Sequence, residues 1–322
     1  CDTAFGCASG VRVYGNFIGT GPTGNEATDA AGIIYGNARD GVQAEGAQSI
    51  DIQANVISGN GNNGVNIASI SNDSIIRGNI IGLTANGDPD GNGWYSTAFP
   101  AGNPNVGMGG ATVNANAASG NGVSIGGFGC ATPNRDCANL RIDGNVIAVS
   151  ARAGIIALNG TGGMTIQGNH VGITMGGVAR PNGAAGLIVM TDNNLVTDNV
   201  IATNGGPGIT ILRNTNTAIG TVISGYTPVP ATATNNRLAR NSIYGNTQLG
   251  IDLAAVDTTW TTAGNTLSVP YSWTSGVTPN DGALGPAPPA NTGTFGNRAI
   301  DYPVFTSAVM SPSAGTLTVS GF

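Results

Sequence analysis

A short motif centred on asparagine recurs seven times and constrains the fold more than any other feature of the sequence. An aliphatic residue stands three positions before each of these asparagines, and another stands two positions after it. The asparagines are Asn16, Asn55, Asn79, Asn145, Asn169, Asn199 and Asn241. Side chains alternate along a straight strand, so the two aliphatic positions would lie on opposite faces. The motif therefore predicts a bend at the asparagine, a residue type that tolerates the left-handed conformation.

A second anchor is a glycine that lies between successive asparagines and is followed by apolar residues at the first and third positions after it. These glycines are Gly41, Gly64, Gly122, Gly154, Gly186, Gly208 and Gly250. The alternation predicts a half-buried strand. Uninterrupted repeats, such as Asn55 to Asn79, are too short for a crossover helix, so parallel strands must wind around an axis. The asparagine amides of successive coils then stack about 4.8 Å apart, where they can bond to one another.

These patterns predict an all-β fold, a right-handed parallel β-helix built as a single-stranded solenoid of about 8 coils. The solenoid is expected to span residues 1–253, with insertions at about 94–120 and 126–139. Residues 254–310 lack the repeat and are rich in Thr, Pro, Gly and Ala, which predicts an irregular capping or exit segment. Residues 311–322 alternate like the start of a further β-strand or β-domain.

The coils alternate between two kinds. The pairs Ile18-Gly19, Ile81-Gly82 and Val171-Gly172 follow every second ladder asparagine and precede another glycine by five residues, which predicts long loops on alternate coils. The residue directly after each ladder asparagine is mostly apolar and must point outward. We expect this outward stripe to be covered by the long loops or by a second copy of the chain.

Charge and cysteine content restrict the partners and the compartment. The net charge is −6 and all 11 basic residues are arginines, so neither nucleic acid binding nor membrane insertion is expected. The four cysteines form two close pairs in sequence, Cys1 with Cys7 and Cys130 with Cys137. We predict two disulfides and an extracellular or periplasmic location; a Cys-only metal site is the alternative, with spacings that fit poorly.

Three short runs resemble the right-handed parallel β-helix repeat proteins of bacterial surfaces, the pectate-lyase-like superfamily. They are Gly15-Asn16-Phe17-Ile18-Gly19-Thr20, Val56-Ile57-Ser58-Gly59-Asn60-Gly61 and Asn241-Ser242-Ile243-Tyr244-Gly245-Asn246. Later segments around Asp252, Asp281 and Asp301 look like the exit sequence that follows the last coil in such proteins. The resemblance covers about residues 10 to 310 and implies a secreted or surface protein. The superfamily contains lyases, epimerases, hydrolases and adhesins, so the resemblance does not select an activity.

The sequence contains no group of residues whose types and spacing predict a catalytic site. A lyase site would lie at the outward positions of the strand before each bend. At these positions Arg12 and Asp51 are expected to be neighbours on adjacent coils, and so are Arg77 and Asp143. We interpret both as cross-strand ion pairs. The single histidine, His170, stands in the apolar outward row and is interpreted as a packed side chain.

One acidic loop is a candidate for metal binding. Asp88, Asp90 and Asn92 alternate in a Gly- and Pro-containing loop, so their oxygens could converge on calcium; a simple turn is the alternative reading. No other cofactor is required.

Three functions remain open on the sequence. The first is an extracellular structural or adhesive module, with a polysaccharide or cell-surface glycan as its ligand. The second is a polysaccharide-active enzyme, a lyase, hydrolase or epimerase. The third is a subunit of an extracellular filament, which associates with itself along the apolar stripe or end to end.

Overall fold

A computed structural model describes residues 8–26, 29–31, 35–68, 71–93, 120–126, 137–158, 161–213, 233–255, 305–311 and 316–321. All regular secondary structure in these ranges is β-strand. The strands are β1 (Arg12–Tyr14), β2 (Phe17–Ile18), β3 (Val42–Glu45), β4 (Asp51–Gln53), β5 (Val56–Ile57), β6 (Val65–Ala68), β7 (Ile75–Arg77), β8 (Ile80–Ile81), β9 (Val123–Ile125), β10 (Cys137–Ala138), β11 (Arg141–Asp143), β12 (Val146–Ile147), β13 (Ile155–Ala157), β14 (Thr161–Gly162), β15 (Thr165–Gln167), β16 (His170–Val171), β17 (Leu187–Val189), β18 (Leu195–Thr197), β19 (Val200–Ala202), β20 (Ile209–Arg213), β21 (Arg237–Ala239), β22 (Ser242–Tyr244), β23 (Ile251–Ala255), β24 (Phe305–Ser311) and β25 (Thr316–Gly321).

The strands form three seven-stranded parallel sheets, which confirms the predicted parallel β-helix. Sheet 1 has the order β1-β4-β7-β11-β15-β18-β21, sheet 2 has β2-β5-β8-β12-β16-β19-β22, and sheet 3 has β3-β6-β9-β13-β17-β20-β23. Each coil contributes one strand to each sheet, so the described residues contain seven coils, close to the predicted number. The C-terminal strands β24 and β25 pair with each other as an antiparallel hairpin. Most of the predicted insertions at 94–120 and 126–139, and most of the predicted exit segment at 254–310, lie outside the described residues.

The core of the solenoid consists of the aliphatic residues that flank the ladder asparagines. Ile52, Ile76 and Ile142, which precede the bend in sheet 1, are fully buried, and so are Ile57 and Ile81, which follow it in sheet 2. Strand pairing aligns these rows from coil to coil, for example Ile142 with Ile76. The bend therefore points both flanking positions into one core.

The asparagine side chains form a continuous hydrogen-bonded ladder at the bend. In each of the first six coils the backbone N–H and the Nδ2 of the asparagine both donate to Oδ1 of the asparagine in the next coil, as from Asn79 to Asn145 and from Asn145 to Asn169. Nδ2 also donates to a carbonyl of the preceding coil, so Asn145 Nδ2 bonds to Ile76 O. The amide thus satisfies backbone groups that the bend removes from the sheets.

The left-handed residue at the bend is not the asparagine, so this part of the sequence prediction was wrong. The residue before the asparagine has a positive φ, which is +64° at Gly144 and +55° at Ala54. Glycine adopts this conformation without a Cβ penalty. The asparagine instead keeps ordinary φ values and supplies the amide.

A second asparagine ladder, which sequence reasoning missed, runs along the corner after sheet 2. The same donor-to-Oδ1 pattern links Asn60 to Asn92 and Asn204 to Asn246. In short-loop coils the asparagine stands five residues after the first ladder, as Asn60 follows Asn55. In long-loop coils the loop residues lengthen this spacing, so the asparagines of the second ladder do not recur at a constant distance from the first ladder in the sequence. A serine, Ser150, interrupts this ladder in the fourth coil, where its backbone N–H donates to Asn182 Oδ1. The asparagines of the second ladder are Asn37, Asn60, Asn92, Asn182, Asn204 and Asn246.

The long loops recur on alternate coils, as predicted, and they stack on one another. Isolated antiparallel bridges close two equivalent hairpins, Leu83 with Pro89 and Ile173 with Ala179. Arg180 Nε donates to Gly87 O at 3.3 Å, and so joins the loops of the third and fifth coils. The loop residue Leu83 also packs against Val146 of the outward stripe. The loops of the chain therefore cover part of this stripe.

Candidate functional site

Most of the charged side chains that the strands carry lie at the outward positions of sheet 1, which we call the sheet 1 face. Charged residues occupy only the first four coils and the last coil of this face. The face therefore presents ionic groups mainly toward the N-terminal end of the solenoid. Its first row contains Arg12, Asp51, Ile75, Arg141, Thr165, Leu195 and Arg237, and its second contains Tyr14, Gln53, Arg77, Asp143, Gln167, Thr197 and Ala239.

A three-residue network lies at the centre of this charged region. Arg141 Nη2 donates to Asp143 Oδ2 at 3.0 Å, and Gln167 Nε2 donates to Asp143 Oδ1 at 3.3 Å. Asp143 is thus held by one residue of its own strand and one of the next coil. Each bond uses only one N–H of its donor group, so the guanidinium and the amide keep further donors for a ligand.

The predicted neighbours on this face are confirmed, but the predicted ion pairs between them are wrong. The register places Arg12 beside Asp51 and Arg77 beside Asp143. In the described residues, however, Asp143 forms its ion pair with Arg141, and Asp198 forms one with Arg240. Arg141, which lies on the same strand as Asp143, is therefore the ion-pair partner that Arg77 was predicted to be.

Two polar atoms on this face lack hydrogen-bond partners in the described part of the chain. They are Asp51 Oδ1 and Arg77 Nε, and both atoms are buried. The two residues lie on adjacent strands, β4 and β7. An unpaired buried acceptor and an unpaired buried donor on neighbouring coils are a local cost to stability.

His170 lies on sheet 2, away from the sheet 1 face. It pairs in register with Val146 on one side and Val200 on the other, and it is partly buried. This placement agrees with the prediction of a packed side chain in an apolar row. The sheet 1 face therefore presents guanidinium, carboxylate, amide and phenol groups, and it holds no imidazole.

The predicted calcium residues lie in the long loop of the third coil. Asp88 is exposed at the hairpin, where its backbone N–H donates to Thr84 Oγ1. Asn92 is fully buried in the second ladder, and its Oδ1 accepts from Asn60. No group of three His, Cys, Asp or Glu residues converges within the described ranges. Calcium at this loop stays a prediction, and it would depend on the carboxylates of Asp88 and Asp90.

Asp90 is the residue of this loop with the most unusual environment. Its backbone bonds to Gly59 and Gly82, and its carboxylate lies against Gly59 with Oδ2 unpaired among the described residues. Burial without a compensating partner disfavours the charged form and raises the pKa of Asp90 from its ordinary 3.8 to about 6.

We expect Asp90→Asn to remove a pH dependence of stability. Below about pH 3 Asp90 is protonated in both folded and unfolded states, so it carries no penalty. As the pH rises to about 6 the unfolded state ionises first, and folding is disfavoured by about 1–2 kcal/mol after allowance for partial exposure. The variant should therefore gain stability over the wild type at about pH 7 but not at about pH 3, in urea unfolding. Asp88→Asn, an exposed change in the same loop, is the control. An equal gain in stability at both pH values would contradict the raised pKa of Asp90.

Three of the four cysteines in the predicted disulfides lie outside the described residues. Cys1, Cys7 and Cys130 are in this group, and Cys137 is described only as the first residue of β10. Both disulfides stay predictions.

Comparison with solved structures finds several similar chains. A mutant of the periplasmic alginate epimerase AlgG is 15% identical, with a TM-score of 0.45, and the match covers 69% of this chain and 37% of that one. The A-module of the Azotobacter vinelandii mannuronan C-5 epimerase AlgE4 is 18% identical, with a TM-score of 0.43 and coverage of 67% and 52%. PfbA, a surface adhesin of Streptococcus pneumoniae, is 8% identical, with a TM-score of 0.32 and coverage of 78% and 74%.

This chain thus spans about half or less of the length of the two epimerase chains. No curated protein sequence matches it. In the part of the chain that the structure describes, no helix has the length and hydrophobicity needed to cross a membrane.

A family model also matches the chain. The model described as periplasmic copper-binding protein NosD matches residues 102–273, which include the last four coils. This segment is more than half of the 322 residues. The chain therefore belongs to the NosD family.

Proposed function

We propose that this protein is an extracellular or cell-surface β-helix module that binds an acidic polysaccharide along the sheet 1 face. The observation that carries the proposal is the placement of three guanidinium groups, Arg12, Arg77 and Arg141, on one outward surface of a chain that is otherwise poor in cations. Arginine recognises carboxylates through two parallel hydrogen bonds. A polymer of sugar acids presents such carboxylates at regular intervals.

The spacing and charge of the face support an elongated ligand. Neighbouring coils are about 4.8 Å apart, so the rows offer polar groups at regular steps along the solenoid axis. In the first four coils three arginines outnumber the two aspartates, Asp51 and Asp143, which makes this surface locally cationic on a protein of net charge −6. Tyr14, which is 67% exposed, adds an aromatic ring at one end, and rings of this kind pack against apolar faces of ligands.

The periplasmic description of the NosD family agrees with a location outside the cytoplasm. The finer assignment to the cell surface or the exterior is part of the proposal. It is supported by the low content of charged residues and by the two close cysteine pairs.

The family description also implies copper, and the described residues do not fit it. Copper is bound by thiolate, thioether and imidazole groups. Within the described ranges no cluster of His, Cys, Asp and Glu converges, and His170 is the single histidine of the sequence. Met164 and Met190 belong to separate buried clusters, and Met175 is exposed in a loop. The proposal therefore assigns no copper chemistry to these residues.

A binding assay on intact polysaccharides tests the proposal. We expect alginate and pectate to bind, while neutral dextran does not, in calorimetry with and without calcium. Arg77→Ala should weaken binding roughly 10-fold, because a charge-assisted hydrogen bond to a carboxylate is lost. Arg39→Ala, in a loop away from the sheet 1 face, is the matched control and should leave binding unchanged.

Two results would contradict this proposal. If acidic and neutral polymers bind equally, or if Arg39→Ala weakens binding as much as Arg77→Ala, the sheet 1 face is not the site. Chain cleavage or a change in sugar composition during the same incubation would instead assign the protein as a polysaccharide-active enzyme.

A further inference from the structure

The arginines in the first row of the sheet 1 face stand at a constant interval. Arg12 lies in the first coil, Arg141 in the fourth and Arg237 in the seventh, as the pairing of successive strands shows. Neighbouring coils are about 4.8 Å apart, so each of these arginines follows the one before it by about 14 Å along the solenoid axis. All three residues are exposed. The row therefore presents three guanidinium groups in a line parallel to the axis.

These guanidinium groups have donors left for a ligand. Within the described ranges no hydrogen bond or ion pair involves the side chain of Arg12 or Arg237. Arg141 uses one N–H of Nη2 for Asp143 and keeps the others. Each of the three arginines can thus meet a carboxylate with charge-assisted hydrogen bonds.

The positions between these arginines do not suit a carboxylate. Asp51 and Ile75 occupy the first interval, Thr165 and Leu195 occupy the second, and all four are partly buried. A ligand carboxylate beside Asp51 would meet a like charge. A carboxylate against Ile75 or Leu195 would lose water without gaining a hydrogen bond from that side chain. The row therefore favours an acid group at every third coil.

We propose that the acidic polysaccharide bound along the sheet 1 face is one whose carboxylates return to the same side of the chain at every third sugar. This inference rests on the proposed function and names the shape of its ligand. One sugar of an extended polymer is about as long as the spacing between coils, ~4.8 Å, so three sugars span the interval between two arginines. The first, fourth and seventh carboxylates of such a chain bind Arg12, Arg141 and Arg237, and the other carboxylates point away from the row.

The three-coil interval distinguishes between polymer shapes. In a flat ribbon every second sugar has the same orientation, so a ribbon that starts at Arg12 would place its next acid at Ile75 and would miss Arg141. A polymer that turned every acid toward the row would also place one beside Asp51. A twisted chain with three sugars per turn places an acid at each arginine of the row and at none of the positions between them.

A length series of oligogalacturonides tests the inference, with the affinity of the whole chain measured by calorimetry at low ionic strength. Each further arginine that one oligomer bridges adds an intramolecular contact. We therefore expect the affinity to rise roughly 10-fold from three to four sugars and again from six to seven. Other single additions should change the affinity by less than about 2-fold.

Two substitutions assign the two rises in affinity to particular arginines. Arg237→Gln should remove the rise at seven sugars and keep the rise at four, because Arg12 and Arg141 can still be bridged. Arg141→Gln should remove the rise at four sugars, because only an oligomer of seven spans the two arginines that remain. Both side chains are exposed, so the solenoid should stay folded, which circular dichroism would verify.

Arg240→Gln is the matched control, because it removes the same charge from the same coil as Arg237→Gln but outside the first row. It should keep both rises in affinity. A wild-type affinity that increases smoothly with length, or an Arg237→Gln variant that keeps both rises, would overturn the three-sugar interval; binding of long pectate would still leave the proposed function standing. Failure of pectate and of every oligomer to bind would overturn both. The wild-type series decides the question alone if a variant loses its strand spectrum.

Discussion

Replacement of Asn145 by alanine should lower the free energy of unfolding by about 4 kcal/mol. The amide is fully buried at the centre of the first ladder. Its removal deprives four groups of a hydrogen bond: the backbone N–H and the Nδ2 of Asn79, the carbonyl of Ile76, and Oδ1 of Asn169. An unsatisfied buried group costs about 1–3 kcal/mol, and the lost side chain also leaves a cavity. Urea unfolding followed by circular dichroism would measure the change.

Asn16→Ala is the matched control for this prediction because Asn16 occupies the exposed end of the same ladder. Its Oδ1 accepts no hydrogen bond from the described residues, and its Nδ2 shares Asn55 Oδ1 with its own backbone N–H. We expect a loss below about 1 kcal/mol. Equal losses for the two variants would mean that the stacking of amides in the interior contributes nothing beyond the local turn.

The fold could be predicted from the sequence because its unit is short and repeats in phase. The positions on both sides of each bend, such as Ile142 and Ile147 around Asn145, are aliphatic in every coil, and only a bend can bury both. The residue that bends was identified wrongly, although a regularity in the sequence could have revealed it. Four of the seven positions before the asparagine are glycines, namely Gly15, Gly78, Gly144 and Gly168.

The second ladder and the site were harder to predict for physical reasons. Asn92 follows a loop of variable length, so its equivalence to Asn60 depends on the fold and not on spacing. The motif predicts which residues of the sheet 1 face are neighbours. It does not predict whether Asp143 forms its ion pair with Arg77 or with Arg141, because that depends on side-chain conformation. The burial of Asp90 depends on a glycine of the neighbouring coil, which no local pattern indicates.

Replacement of Gly154 by alanine should destabilise the protein by about 3 kcal/mol, because the corner glycines have no room for a side chain. A Cβ at this position would lie 2.5 Å from Cγ1 of Val171 and 2.8 Å from the carbonyl oxygen of Gly186. Val171 is a core residue, and Gly186 is the equivalent corner glycine of the next coil, so neither can move without displacing a strand. The same contacts recur at Gly122 and Gly186, which explains why this row admits only glycine.

Gly144→Ala separates steric overlap from backbone strain in this prediction. Gly144 has a φ of +64°, but a Cβ there would meet nothing within 4 Å. The expected loss is the penalty of the left-handed conformation alone, about 1 kcal/mol. Both variants would be compared with the wild type by urea unfolding, with the slope of the transition as a check that the same structure unfolds. If Gly154→Ala loses no more than Gly144→Ala, the coils can separate at the corner, and close packing between sheets 2 and 3 does not fix the glycine row.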